Sequence, residues 1–185
     1  MSTSALSAAS GTWTIDASHT NVGFSVRHAM VAKVRGSFTD VEGTITIDGD
    51  NPASSSTNVT IKTDSFDSKN EDRDAHIKSD DFLSVETFPT ITFASTELVE
   101  KGSDEFVLRG DLTVKDVTKP VELEVEYVGV HGDPWGGTRV GFEASTEISR
   151  EEFGLTWNVA LEAGGVLVGD KVKITLDVEA VKNEG

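Results

Sequence analysis

Four histidines, His19, His28, His76 and His131, are the side chains of this sequence best suited to moving a proton or holding a metal near neutral pH. No two share the spacing of a metal motif such as His-Glu-x-x-His, so each is expected to be a surface or hydrogen-bonded histidine and no metal site is assigned. The run Arg73-Asp74-x-His76 brings a cation, an acid and a base within one helical turn. Such a set does acid–base work if it lines a cleft, and otherwise forms a local ion-pair network on a helix surface. His28 stands differently, because alternation places it on the inward side of its strand in line with Val22, Phe24 and Val26. A polar ring on an apolar face needs a partner, either a core backbone group or carboxylate or a bound molecule. No Gly-x-Ser-x-Gly, P-loop or dinucleotide glycine pattern is present, so no catalytic residue is assigned and the expectation is a protein that is not an enzyme. The alternative is an enzyme acting on an apolar substrate through Arg73, Asp74 and His76.

The elements that would carry these residues are almost all strands. The exception is Ser68 to Phe82, where Ser68 and Glu71 have the form of a capping box. Glu71, Asp72 and Asp74 put negative charge at the positive end of the helix dipole. The spacing predicts about ten helical residues ending near Ser79, with an apolar face so thin (Ala75, Ile77) that the helix must lie against a larger β structure. Before it, Trp13 to Asp16, Val22 to His28, Val34 to Phe38, Gly43 to Ile47 and Val59 to Thr63 alternate with period two. After it come Phe88 to Phe93, Phe106 to Val114, Val121 to Tyr127, Val140 to Ile148, Phe153 to Val159 and Val172 to Ala180. The cleanest of these sets Val121, Leu123, Val125 and Tyr127 against Glu122, Glu124 and Glu126, one face dry and one wet. Where one segment continues another they join, giving three or four strands before the helix and eight or nine in all; half-apolar strands in that number with no second helical layer must close or double over. The expected fold class is all-β, an antiparallel eight-stranded barrel with one short helix inserted mid-chain, its interior filled by side chains or holding one small apolar ligand.

At 185 residues the chain fits one domain, expected over 12–183 behind a flexible tail over 1–11. The tail lacks a basic n-region, so no signal peptide is read and a cytoplasmic location is expected. No cysteine is present, which excludes a disulfide framework and a thiol nucleophile. Thirty-two acidic against sixteen basic residues give a formal charge of −16, which argues against nucleic acid as a partner and against stable anchoring to anionic bilayers.

Six segments in order resemble the YceI-like family: Trp13-Thr14-Ile15-Asp16-x-x-His19, Val26-Arg27-His28, Gly36-Ser37-Phe38, Arg73-Asp74-x-His76, Phe88-Pro89-Thr90-Ile91-Thr92-Phe93 and Gly110 to Pro120. The resemblance runs from about Trp13 to Phe153, with Ile77 standing where the family more often has leucine. It implies a lipocalin-like barrel with a helix between two strands, and an apolar lumen for a long-chain amphiphile, a polyisoprenoid or an isoprenoid quinone, with no covalent cofactor. It also implies a homodimer; many relatives are periplasmic. With the alternation, it makes Phe24, Val26, His28, Phe38, Phe93, Phe106, Leu108, Leu123, Val125, Phe142 and Trp157 the candidate ligand-binding residues. Arg73, Asp74 and His76 are a candidate polar or structural cluster. The expected role is a carrier, store or sequestering protein; a domain whose lumen is filled by its own side chains is the remaining reading.

Overall fold

A sheet of this many one-sided strands leaves two reactive edges unless it closes, and here it closes. The structure, a computed structural model, describes residues 5–29, 31–159, 161 and 167–183. Its strands are β1 (Gly11–Ile15), β2 (Asn21–His28), β3 (Ala32–Phe38), β4 (Val41–Ile47), β5 (Ser56–Lys62), β6 (Phe66–Asp67), β7 (Thr90–Glu100), β8 (Glu105–Val114), β9 (Val117–Gly132), β10 (Thr138–Ser149) and β11 (Val168–Lys182). All pairings are antiparallel, and β1, β4, β5, β7, β8, β9, β10 and β11 form a ring of eight closed by the β1–β11 pair. No helix among the described residues is long and apolar enough to cross a membrane.

Three strands extend the ring toward one end. β1 and β2 lie in line along β11, with Ile15 opposite Ala180 and Val22 opposite Leu176. Between them a 3-10 turn, Ala17–His19, interrupts the ladder, and the Thr20 hydroxyl, 3.2 Å from both Glu179 N and Glu179 O, supplies the missing contacts. β3 and β6 prolong β4 and β5 in the same way. Helix α1 (Glu71–Lys78) follows β6 directly and packs Ile77 onto the core.

Two apolar clusters fill the two ends. Val22, Phe38, Phe66, Leu83, Phe93 and Phe153 belong to the one beside α1. Leu6, Ala9, Trp13, Ile47, Val140 and Ala180 belong to the other. Val59 and Leu108 touch both, so they mark the middle of the barrel.

Three expectations are corrected. Helix α1 has eight residues, and its N-cap is Asn70, whose side chain accepts from Arg73 N at 3.0 Å. Ser68 cannot cap it because Lys69 takes a left-handed turn (φ 64°) between them; Ser68 instead donates through N and Oγ to Asp74, at 2.8 and 2.6 Å. Residues 5–11 are not a loose tail: Ala5–Ala9 is a 3-10 turn with Leu6 and Ala9 buried, and Gly11 opens β1, while residues 1–4 lie outside the described ones. Finally, Phe153 to Val159 alternates but is no strand; Glu151–Phe153 is a 3-10 turn and the rest is irregular.

Candidate functional site

The reason for that last departure is Arg150, whose side chain is held almost fully buried, at 4% exposure. Its guanidinium donates to four backbone carbonyls: Gly169 (2.8 Å), Leu155 (2.6 Å), Trp157 (3.0 Å) and Val168 (3.1 Å). These acceptors would otherwise need a neighbouring strand, so one side chain replaces a ladder. Asn158 completes the join, donating to Val168 O at 2.7 Å and accepting from Val168 N at 3.0 Å. Burial pulls the Arg150 pKa down, opposed by the charges of Glu151 and Asp170, and no carboxylate lies within ion-pair distance among the described residues. The result is a segment strapped across one end of the barrel, presenting Leu155 and Trp157 inward.

Inside the ring is a cavity of about 650 Å³, within the range of sites that bind small molecules. Its walls are the inward faces of the strands. All eleven residues named from the sequence stand in its lining: Phe24, Val26, His28, Phe38, Phe93, Phe106, Leu108, Leu123, Val125, Phe142 and Trp157. Phe38, Phe93 and Phe106 are buried, whereas Phe24, Val26, Leu108, Leu123, Val125 and Phe142 face the interior yet are only half-buried. An inward apolar side chain that keeps accessible surface borders space, and a close-packed core leaves none. The reading of a lumen filled by its own side chains is therefore corrected.

The two ends of this cavity differ. At one, exposed Asn70, Asp72 and His28 and half-buried Arg73 line it, and here it has its mouth. His28 is exposed at the end of β2, so the core-histidine alternative falls: the alternation is right, but the strand runs on past the packed part of the wall. His76, Phe82 and Trp157 form an aromatic trio beside it, with centroids 4.5 Å (His76–Trp157), 5.1 Å (His76–Phe82) and 5.4 Å (Phe82–Trp157) apart, all edge-on. At the other end Leu6 lines the cavity, backed by Trp13, whose indole N–H donates to Ala9 O at 2.8 Å. Gly49 lets this plug seat: a Cβ there would stand 2.5 Å from Ser7 Cα and 2.8 Å from Leu6 O, and Gly49 N donates to Ser10 Oγ at 2.9 Å.

Arg73, Asp74 and His76 do not converge. Arg73 and His76 line the cavity, Asp74 is held by Ser68, and His76 Nε2 lies 2.9 Å from Asp81 instead. Sequence reasoning missed Arg150, Leu6 and the trio's Phe82. An arginine following an inward strand end gives no periodic signal, and Leu6 sat in a stretch with a single large apolar side chain.

A second polar group lies on the outer wall at the β1–β2 interruption. Asp16 accepts from Arg139 Nη1 (2.8 Å), from Ser18 N and Oγ, and is paired with His19 Nδ1 (2.8 Å). These contacts, Arg139 first, hold its carboxyl well below the usual carboxylate range. Asp16, His19 and Glu179 offer three ligand atoms within 4.8 Å of one another, but the Arg139 guanidinium already supplies the cation there, 3.5 Å from Glu179.

Comparison with known proteins agrees with this architecture. A family model described as the YceI-like domain matches residues 13–180, beyond Phe153, where the sequence resemblance ended. Protein YceI of Escherichia coli O157:H7 is 40% identical over 166 residues, covering 90% of this chain and 83% of its own. BcnA of Burkholderia cenocepacia superposes with a TM-score of 0.77 at 21% identity, over 89% of this chain and 98% of that one. A polyisoprenoid binding domain from Saccharophagus degradans does so at 0.67 and 12% identity, over 92% and 98%. At those identities the two structures bear on the fold alone.

Proposed function

The chain belongs to the YceI-like family, and from the cavity we propose that it binds one long apolar chain, a polyisoprenoid or the tail of an isoprenoid quinone, as a carrier or sequestering protein. The observation that carries this reading is the 650 Å³ space lined by inward apolar side chains that are only half-buried. A polyisoprenoid binding domain is built on the same fold, and the choice of ligand class for this chain rests on the apolar lining of its own cavity. At roughly 30 Å³ per water-sized group the space takes on the order of twenty carbon atoms, about four isoprene units. The tail enters past the aromatic trio, and Arg73 and His28 at the mouth meet the head group. Burying each CH₂ gains roughly 0.8 kcal/mol against water but little against a bilayer, so uptake from lipid is governed by access to the membrane.

Mass spectrometry of organic extracts of the purified, detergent-free protein tests the reading, together with titration of prenyl quinones. No extracted lipid and no added prenyl chain bound would overturn it. A sharper version uses Leu108, which lines the middle of the lumen, and Val107 beside it on the outer face. Leu108→Trp is expected to weaken long-chain binding at least tenfold, about 1.4 kcal/mol, with little loss of stability, because the lumen absorbs the bulk. Overpacking of a solid core would instead cost roughly 1–3 kcal/mol. Val107→Trp should bind normally.

A further inference from the structure

A net charge of −16 averages over a distribution that the fold makes uneven. On the outer face of the β11–β2–β3 wall, next to the mouth, stand Arg27, Lys33, Arg35, Lys171 and Lys173, all exposed. The register brings them together from three strands: Arg27 faces Lys33 across the β2–β3 ladder, and the adjoining row runs Lys173, Ser25, Arg35. None of the five makes an ion pair among the described residues. Glu147 opposes Lys173 in register without reaching it, and Asp170, which lines the same concavity, is engaged by Ser149 Oγ and Glu151 N and pairs with none of the five. Five clustered, unpaired cations on a strongly acidic protein are a binding surface for anions. At the tip of the same β2–β3 hairpin, just before β3, Val31 is 84% exposed, a large apolar side chain offered to solvent where the wall meets the mouth.

We propose that this wall and hairpin tip dock the barrel reversibly, mouth first, on an anionic bilayer surface. Cation clusters of this size attract anionic lipid headgroups, and an apolar tip among them inserts at the interface. A soluble polyanion would use the cations but would have no use for Val31. Asp72 at the mouth and Glu147 and Asp170 beside the lysines are the acids nearest the docking face and oppose the attraction, whereas at about 0.15 M salt repulsion from acids farther off is screened beyond roughly 8 Å. The same length grades the patch. Lys33 is two residues from Val31, roughly 7 Å along the strand, and Arg35 four residues, roughly 13 Å. The Arg27–Lys33 row acts within one screening length of a surface touched by Val31, and the Arg35–Lys173 row lies beyond it, where the attraction is weakened but not abolished. The purpose of docking, exchange of the apolar chain with the membrane, rests on the lumen reading; docking itself does not.

The experiment is flotation of the full-length protein with vesicles of phosphatidylcholine alone or mixed 3:1 with phosphatidylglycerol, free of prenyl lipid, with melting curves confirming that each variant is folded. Two exposed lysines outside the patch, Lys62 at the end of β5 and Lys101 in the β7–β8 turn, allow a charge-matched control. Wild type should float with the mixed vesicles and not with pure phosphatidylcholine. R27E/K33E should lower the partition coefficient at least about tenfold, R35E/K173E and V31D about threefold each, and K62E/K101E less than about twofold. Prenyl binding in detergent should be unchanged in R35E/K173E, V31D and K62E/K101E, none of which alters a residue of the lumen lining, and this separates failure of docking from failure of the lumen reading. Equal effects of the three charge reversals, flotation with neutral vesicles, or no flotation at all overturns the proposal. So does binding to heparin through the same residues without vesicle binding, which would assign the wall to an anionic macromolecule.

Discussion

The two ends of the barrel are built from the same strands by opposite means. The plugged end is held by apolar packing, with Trp13 at 0% exposure, Ala9 and Ala180 equally buried, and a single indole hydrogen bond fixing the 3-10 turn, while exposed Thr46 and Ser56 line the cavity beside it. The mouth is held by polar contacts to backbone: Arg150 and Asn158 satisfy the carbonyls and amides of a segment that belongs to no strand. Apolar packing is non-directional and strong, so it suits an end that need not open. Hydrogen bonds to a strap are directional and exchange readily with water, so they suit an end through which a ligand passes.

Trp13→Ala should produce the largest effect, about 3–5 kcal/mol of destabilisation, because the plug loses both its wall and its hydrogen bond. Denaturant titration measures it, and a loss under 1 kcal/mol would mean that the plugged end carries little of the fold. Arg150→Met should follow at about 3 kcal/mol, since it leaves buried carbonyls without donors at roughly 1–3 kcal/mol each and water reclaims part of that. Hydrogen exchange should then accelerate around 150–159 and Val168 while β1 and β4 keep their protection. Uniform acceleration would erase the distinction between the ends. Leu6→Ala, which shortens the plug inside the lumen, should shift the preferred prenyl chain upward by about one isoprene unit, at about 2 kcal/mol in stability or less. An unchanged length preference shows that Leu6 does not end the tunnel.

The smallest effect is expected from the Asp16–Arg139 clamp, which ties the β1–β2 corner to β10. Its sign follows from the depressed carboxyl: below the unfolded pKa the unfolded chain binds the extra proton, so the clamp's stability is fully present above about pH 4–5 and drains away as pH falls toward the native value. Asp16→Asn should lower stability at pH 7 by about 1–2 kcal/mol and flatten its pH dependence below pH 4. Melting curves from pH 7 to pH 2.5 check this, and parallel curves for both proteins would show the clamp to be inert.

Much of the lumen was legible because side-chain direction in a strand is a local property with period two. Phe106, Leu108, Leu123 and Val125 could be placed inward by counting alone. The same counting failed at Phe153 to Val159, where apolar alternation met a buried guanidinium that took the carbonyls a strand partner would need. It failed again at Ser68, where the capping pattern was present but the left-handed Lys69 turned the serine away from the helix.

By itself the sequence determined an antiparallel barrel, the position of its one helix and the apolar character of its interior, because periodicity and turn chemistry act between residues close in the chain. Tertiary structure alone decided that the interior is space, that Leu6 and Trp13 plug one end, and that Arg27, Lys33 and Lys171 stand side by side on the other. Those outcomes depend on strand register and closure, which bring residue 27 beside residue 171 and which no local spacing encodes.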